Sequence, residues 1–335
     1  MEYKEREIWI DNIKVVACML VMLGHFFQSM IKSRILPDTD VYQWFKQTIY
    51  LFHVSLFFIC SGYLYQRHSK VDTMVSWYKN IKKKLLVLGV PYFTFTILTY
   101  LLKTVFSSSV NEEMSNGILN TLFITPTAPY WYLYTLFFIF LFTPTVKSQL
   151  MMVVMITVSL LFKAASLLDI RINAIYYILS YEIWFVIGML LSVINVKKIL
   201  NNANYIVVGF LLLLFFVGAS IISYVTGNLN DVIGFLLGIV ACLSIIVITV
   251  TIFSNNVQNK LFGFLAVYTM PIFLMHTLFA APIRIILLKM GINNPVVHIV
   301  LGVLISIIGP ILMAELMKKT KLLEFFIYPN KIVKI

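Results

Sequence analysis

The sequence predicts an all-α, polytopic membrane protein of about ten transmembrane helices, with both termini in the cytoplasm. Three observations carry that reading. Hydrophobic residues make up 60% of the 335 and charged residues only 12%, about half the charged share of a soluble domain. Apolar runs close to the roughly 20 residues of a spanning helix recur from one end of the chain to the other. Lys and Arg gather in alternate connecting segments. Such a composition excludes an ordinary soluble enzyme, and it excludes a disordered chain, which is poor in apolar and aromatic residues.

The first apolar run, 13–31, contains Lys14 and His25 and is followed by no small-residue cleavage site. It is expected to be a retained span rather than a signal peptide. Runs at 49–65, 85–102, 131–146 and 150–167 come next, the last two short and separated only by Lys147–Gln149. Runs at 174–195, 205–225, 232–253, 262–283 and 296–317 complete the set. Helix is expected throughout, because lipid offers no partners to an open sheet edge.

With the N-terminus inside, the inner segments hold 17 Lys and Arg and the outer loops, including Lys103, Lys163, Arg284 and Lys289, hold 8. That bias sets the orientation. The same rule accounts for the net charge of +12, so no nucleic-acid partner is implied. Cys18, Cys60 and Cys242 all lie in apolar segments without metal-ligand spacing. Neither a disulfide framework nor a metal site is expected.

An ionisable group inside a span is costly and marks a functional candidate. The first span holds the densest set. Lys14 and His25 are eleven residues apart, three turns plus about 20°, and so share a face. Asp11 and Gln28 fall within about 60° of that line, and Cys18 joins them. His25 stands about 16 Å along the helix from Lys14 at 1.5 Å per residue. This stripe is expected to line a cavity, running past Cys18 and Val21, rather than face lipid. Histidine suits general-base work near neutrality, with an unperturbed pKa of about 6.5. His53 opens the second span, Glu182 lies in the sixth and His276 in the ninth. Glu182 has two readings, a substrate ligand or a partner for an outer-loop lysine. His276 reads first as a packed, hydrogen-bonded residue.

The segment from Gln66 to Lys84 carries Arg67, Lys70, Lys79, Lys82, Lys83 and Lys84. Positive-inside topology and anionic lipid explain much of this cluster. Lys82-Lys83-Lys84, just ahead of the third span, also suits the phosphates of a cytoplasmic cofactor. Charge does not decide between them.

Several of these stretches resemble the acyltransferase-3 family of membrane acyltransferases. Lys14, ten intervening residues and His25 are similar to the family's first-helix signature. Phe52-His53 through Phe57-Phe58 and Ser61-Gly62-Tyr63 resembles its second-helix motif. Lys82-Lys83-Lys84 followed by Pro91-Tyr92 is similar to its basic, Pro-aromatic element. Trp131-Tyr132-Leu133 looks like the start of a middle helix, and Phe273-Leu274-Met275-His276 like the late helix. Lys14 and Phe52-His53 look most like the fucose 4-O-acetylase-related branch, although Val54-Ser55 stands where that branch has Met-Pro.

The resemblance implies one membrane acyltransferase domain over 1–335. It would move an acyl group, usually acetyl, from cytoplasmic acyl-CoA to a hydroxyl of an extracytoplasmic or lipid-linked glycan. His25, Lys14 and Asp11 are then the catalytic set, with His25 as base. Arg67, Lys82, Lys83 and Lys84 would hold the CoA phosphates, and His53, Trp131, Glu182 and His276 the acceptor. Acyl-CoA is the donor substrate, and membrane lipid and the glycan are the other partners. A competing reading is a non-enzymatic glycan or lipid exporter, because intramembrane charges also mark transport paths.

Overall fold

The computed structural model describes residues 7–69, 71–111, 116–168, 170, 172–200, 202–253 and 257–333. Among them every regular element is helical. α1 (Ile8–Lys32) is followed by α2 (Asp40–Tyr50) and α3 (His53–His68), with α4 (Met74–Lys84) passing through a π turn (Leu85–Gly89) into α5 (Val90–Val105). Then come α6 (Ile118–Phe123), α7 (Trp131–Phe142), α8 (Gln149–Ala165), α9 (Asn173–Val193) and α10 (Val196–Ile199). α11 (Tyr205–Thr226), α12 (Asp231–Ile252), α13 (Lys260–Lys289), α14 (Pro295–Met317), α15 (Lys321–Ile327) and α16 (Pro329–Ile332) complete the chain.

Among the described residues, eight helical segments are long and apolar enough to cross a membrane, and α7 and α8 are shorter apolar helices. Together they fall on the ten apolar runs of the sequence. The chain is an all-α, multi-pass integral membrane protein.

α1 packs on α3 and α13, α3 on α9, α11 on α12 and α13 on α14. α3 and α9 run side by side in one direction: Phe58 stacks on Tyr181 with ring centroids 4.9 Å apart, and Tyr65 meets Phe185 at 5.6 Å. Two glycines permit this approach. A Cβ on Gly62 would lie 1.9 Å from the Phe185 carbonyl oxygen, and one on Gly188 2.0 Å from that of Ile59. Small residues are the usual means of bringing helices together where lipid removes the hydrophobic drive.

Two expectations need correction. The fourth run, 131–146, is helical only to Phe142. Pro144 lacks an N–H and disfavours helix at the residue before it, and irregular backbone at this depth must find partners in protein. It does: Tyr65 Oη donates to the Thr143 carbonyl (2.9 Å), and the Trp77 indole donates to that of Leu141 (3.0 Å). Gln66 both donates to Val146 O and accepts from Val146 N, each at 2.9 Å.

The basic connecting segment 66–84 is not an open connection but ends as helix α4, started by a capping box in which Thr73 and Ser76 satisfy each other's backbone N–H. It continues into the membrane through the π turn. Pro91 has no N–H and its ring crowds the carbonyl one turn back. The widened π turn just ahead of it, Leu85–Gly89, gives room for that ring.

Candidate active site

The first-helix stripe faces protein. Its far end brings His25 against His276 of α13, with ring centroids 5.5 Å apart and planes inclined at 34°. His276 is 1% exposed. Its Nδ1 faces the carbonyls of Ile272 (2.9 Å) and Phe273 (3.0 Å). Carbonyls only accept, so Nδ1 carries the proton and Nε2 presents a lone pair. That Nε2 is buried without a hydrogen-bond partner. His25 itself is half-buried. His53, Lys103 and Lys32 lie near enough to interact with it electrostatically.

The motif residues converge on α13 one turn before His276. Phe57 and Phe58 of α3, Tyr132 of α7 and Phe273 of α13 form one aromatic cluster. Tyr132 lies 5.4 Å from Phe57, 4.9 Å from Phe58 and 5.6 Å from Phe273. Ser61 Oγ and Tyr132 Oη are hydrogen-bonded at 3.2 Å. Tyr130 Oη donates to Leu274 O (3.0 Å) and is bonded to Thr99 Oγ1 (2.9 Å), tying α5, α7 and α13 together one turn from His276. Stretches far apart in sequence, on α3, α7 and α13, thus meet in one aromatic cluster that ends three residues before His276.

At the other end of the stripe, the cations divide. Lys84, half-buried, turns inward with its Nζ 3.5 Å from the Phe140 ring centroid. Lys14 lies near enough to interact with it electrostatically, and Lys14 and Asp11 both act on Cys60. Lys82 and Lys83 are exposed, with Lys82 over the Tyr78 ring at 4.5 Å. Arg67 pairs with Glu7 at 3.8 Å, and Glu7 also accepts from the Trp9 indole. Lys70, part of the same basic run, lies outside the described residues.

Between the two ends the stripe is closed, contrary to expectation. Cys18 is 0% exposed and Val21 2%. The Cys18 thiol donates to Thr269 O on α13 at 3.4 Å. Polar stripe and cavity are not the same thing: α13 packs against α1 and fills the space.

The other expected residues stand elsewhere around the site. His53 is buried, its Nδ1–H on Ile49 O and its ring 4.8 Å from Tyr50. Trp131 stacks on Tyr177 at 4.4 Å. Glu182 is buried and accepts from Thr143 Oγ1 at 2.7 Å, an intramembrane partner rather than an outer-loop lysine.

Arg284 was missed. Counted with the outer loops on charge alone, it lies inside α13, 4% exposed, with Nη1 donating to Ser29 Oγ and O and Nε unpartnered. Its signal was the apolar sequence Ile285-Ile286-Leu287-Leu288 that continues the helix beyond it.

Among the described residues, no group of three or more His, Cys, Asp or Glu is placed to hold a metal. No curated protein and no solved structure matches the chain. One family model does, described as an acyltransferase domain, and it matches residues 7–315. The match takes in every stretch that builds the His25–His276 site and the Lys14–Lys84 end, and the chain belongs to the acyltransferase-3 family of membrane acyltransferases.

Proposed function

We propose that the protein moves an acyl group, usually acetyl, from acyl-CoA on the cytoplasmic side to a hydroxyl of an extracytoplasmic or lipid-linked glycan, with His25 as general base. The observation that carries this is the contact of His25 with His276, whose fixed tautomer leaves a buried, unpartnered lone pair beside it. A sugar hydroxyl is a weak nucleophile until its proton is taken. The hydroxyl oxygen bonds to the thioester carbon as its proton passes to His25. The C–S bond then breaks, and the proton goes on to the departing CoA thiolate. The hydrogen-bonded hydroxyls of Tyr132 and Ser61, on the side of Cys60, Lys14 and Asp11, are polar groups suited to the acyl-CoA donor rather than to His25.

Lys84 and Lys14, two cations brought together at the N-terminal end of α1, suit the CoA phosphates. Asp11, three residues from Lys14, suits a positioning role for its ammonium. His53 and Trp131 are assigned to the acceptor. The closed packing at Cys18 and Val21 supports transfer of a small group over carriage of a whole glycan.

The test uses purified full-length protein in lipid nanodiscs with radiolabelled acetyl-CoA and cell-envelope glycan. Loss of a general base costs about 10²–10⁴ in rate, so His25→Ala should show a decrease of that order while acetyl-CoA still binds. Full transfer activity in correctly inserted His25→Ala would remove His25 from the reaction.

A further inference from the structure

A cavity of about 200 Å³ opens on the His25 side of the molecule, between the α2–α3 junction, α9 and the start of α12. Of its residues the sequence marked only Ser55, where the related branch has Met-Pro, and Lys163, as an outer-loop cation. Its walls combine aromatic faces with groups of both charge signs: Tyr50, Tyr181 and Trp184 on one hand, Ser180, Asp231 and Lys163 on the other. Ser180 is 3% exposed, and its Oγ has no hydrogen-bond partner. A buried hydroxyl left unsatisfied costs about 1–3 kcal/mol unless a ligand or water completes it.

Tyr50 joins this cavity to the reacting centre. Its ring lies 4.8 Å from His53, and its Cε2 lies 3.4 Å from where a Cβ on Gly24, the residue before His25, would stand. Tyr50 is 41% exposed at the end of α2, so it forms a thin wall between the cavity and the His25 turn.

We infer that this cavity is the subsite for one neutral pyranose ring of the acceptor, with Tyr50, Tyr181 and Trp184 as its aromatic platform. The inference rests on the acyltransferase reading above and deepens it. Amphipathic aromatic rings take the C–H face of a sugar, while a few placed polar groups fix its hydroxyls. Asp231 and Lys163 oppose each other in charge and interact electrostatically; that pairing favours a neutral polyol over an ionic group. Ser180 supplies the buried donor–acceptor. A ring seated here leaves its neighbouring hydroxyl, or that of the next residue, on the His25 side of Tyr50.

The test is saturation-transfer difference NMR on the full chain in nanodiscs, with methyl glycosides of glucose, galactose, mannose, fucose and N-acetylglucosamine as probes. At least one glycoside should receive saturation in the wild type and equally in His25→Ala. In Asp231→Asn/Ser180→Val its affinity should fall at least about tenfold, the scale of losing a charge-assisted hydrogen bond. Tyr176→Ala, at a rim position 38% exposed, weakens binding without touching the core and covers the case of a misfolded double variant. Binding that persists unchanged in these variants, or no glycoside binding at all, overturns the subsite. Glycoside binding that depends on these residues in a protein with no acetyl transfer would keep the subsite and sink the acyltransfer reading. Transfer to glycan with pocket-independent glycoside binding would do the reverse.

Discussion

The imidazoles of His25 and His276 face each other at 5.5 Å, although 251 positions of chain separate them. One sits half-accessible on the first helix; the other is locked by two backbone carbonyls that decide which nitrogen carries its proton. On the proposed reading such an asymmetric pair would divide labour, with His25 as the base and His276 as a fixed acceptor of hydrogen bonds.

His276→Gln is expected to lower transfer by about tenfold to a hundredfold, less than loss of a general base at about 10²–10⁴. Acetyl-CoA binding should be retained, because His276 lies at the end of the stripe remote from Lys14 and Lys84. Steady-state kinetics with both substrates check this, and equal losses in His276→Gln and His25→Ala would contradict the division of labour.

Gly62→Ala should destabilise the protein by at least about 1–3 kcal/mol, the usual cost of overpacking. The new Cβ meets backbone, the Phe185 carbonyl, which has no rotamer to yield. Gly218→Ala is the control, with nothing within 4 Å of the added carbon. Thermal unfolding in detergent should show a clear drop for the first and none for the second. Similar unfolding temperatures would mean that α3 and α9 do not approach as described.

Cys18, Cys60 and Cys242 are each at most 2% exposed. Folded protein in nanodiscs should therefore react negligibly with a water-soluble maleimide, and all three thiols should label after denaturation. Acetyl-CoA is expected to speed labelling of Cys18, since a donor reaching His25 must part α1 from α13. Rapid labelling of Cys18 in the resting protein would restore the open channel that the packing denies.

Lys84→Gln is expected to raise the KM for acyl-CoA more than Lys82→Gln/Lys83→Gln together. Lys84 turns inward beside Lys14 while the other two are exposed. The double variant's effect should fade with salt, since exposed charges are screened over about 8–10 Å at physiological ionic strength. The Lys84 effect should persist. KM measured at two salt concentrations decides it, and an identical response of both variants would return Lys84 to a topological role.

Periodicity and burial chemistry made the ten apolar helices legible from sequence, eight of them long enough to span among the described residues. A segment in lipid has to be apolar along its whole length and satisfy its own backbone, and each apolar run is marked by its own residues whatever its neighbours do. The shared face of Lys14 and His25 was legible for the same local reason, the fixed 100° per residue of a helix. The break at Phe142 was written in Pro144, but the partners that make it tolerable, Tyr65, Gln66 and Trp77, come from other elements. Only the tertiary structure decided that His276 stands against His25, that Lys84 leaves its two neighbours to join Lys14, that Arg284 is buried, and that Cys18 and Val21 close the stripe. It also decided the cavity beside Tyr50. Each of these depends on which helix packs against which, and that choice is made by interhelical close approach, at Gly62 and Gly188 for example. Hydrophobicity carries no such information in a membrane, because lipid chains are as apolar as the side chains they replace.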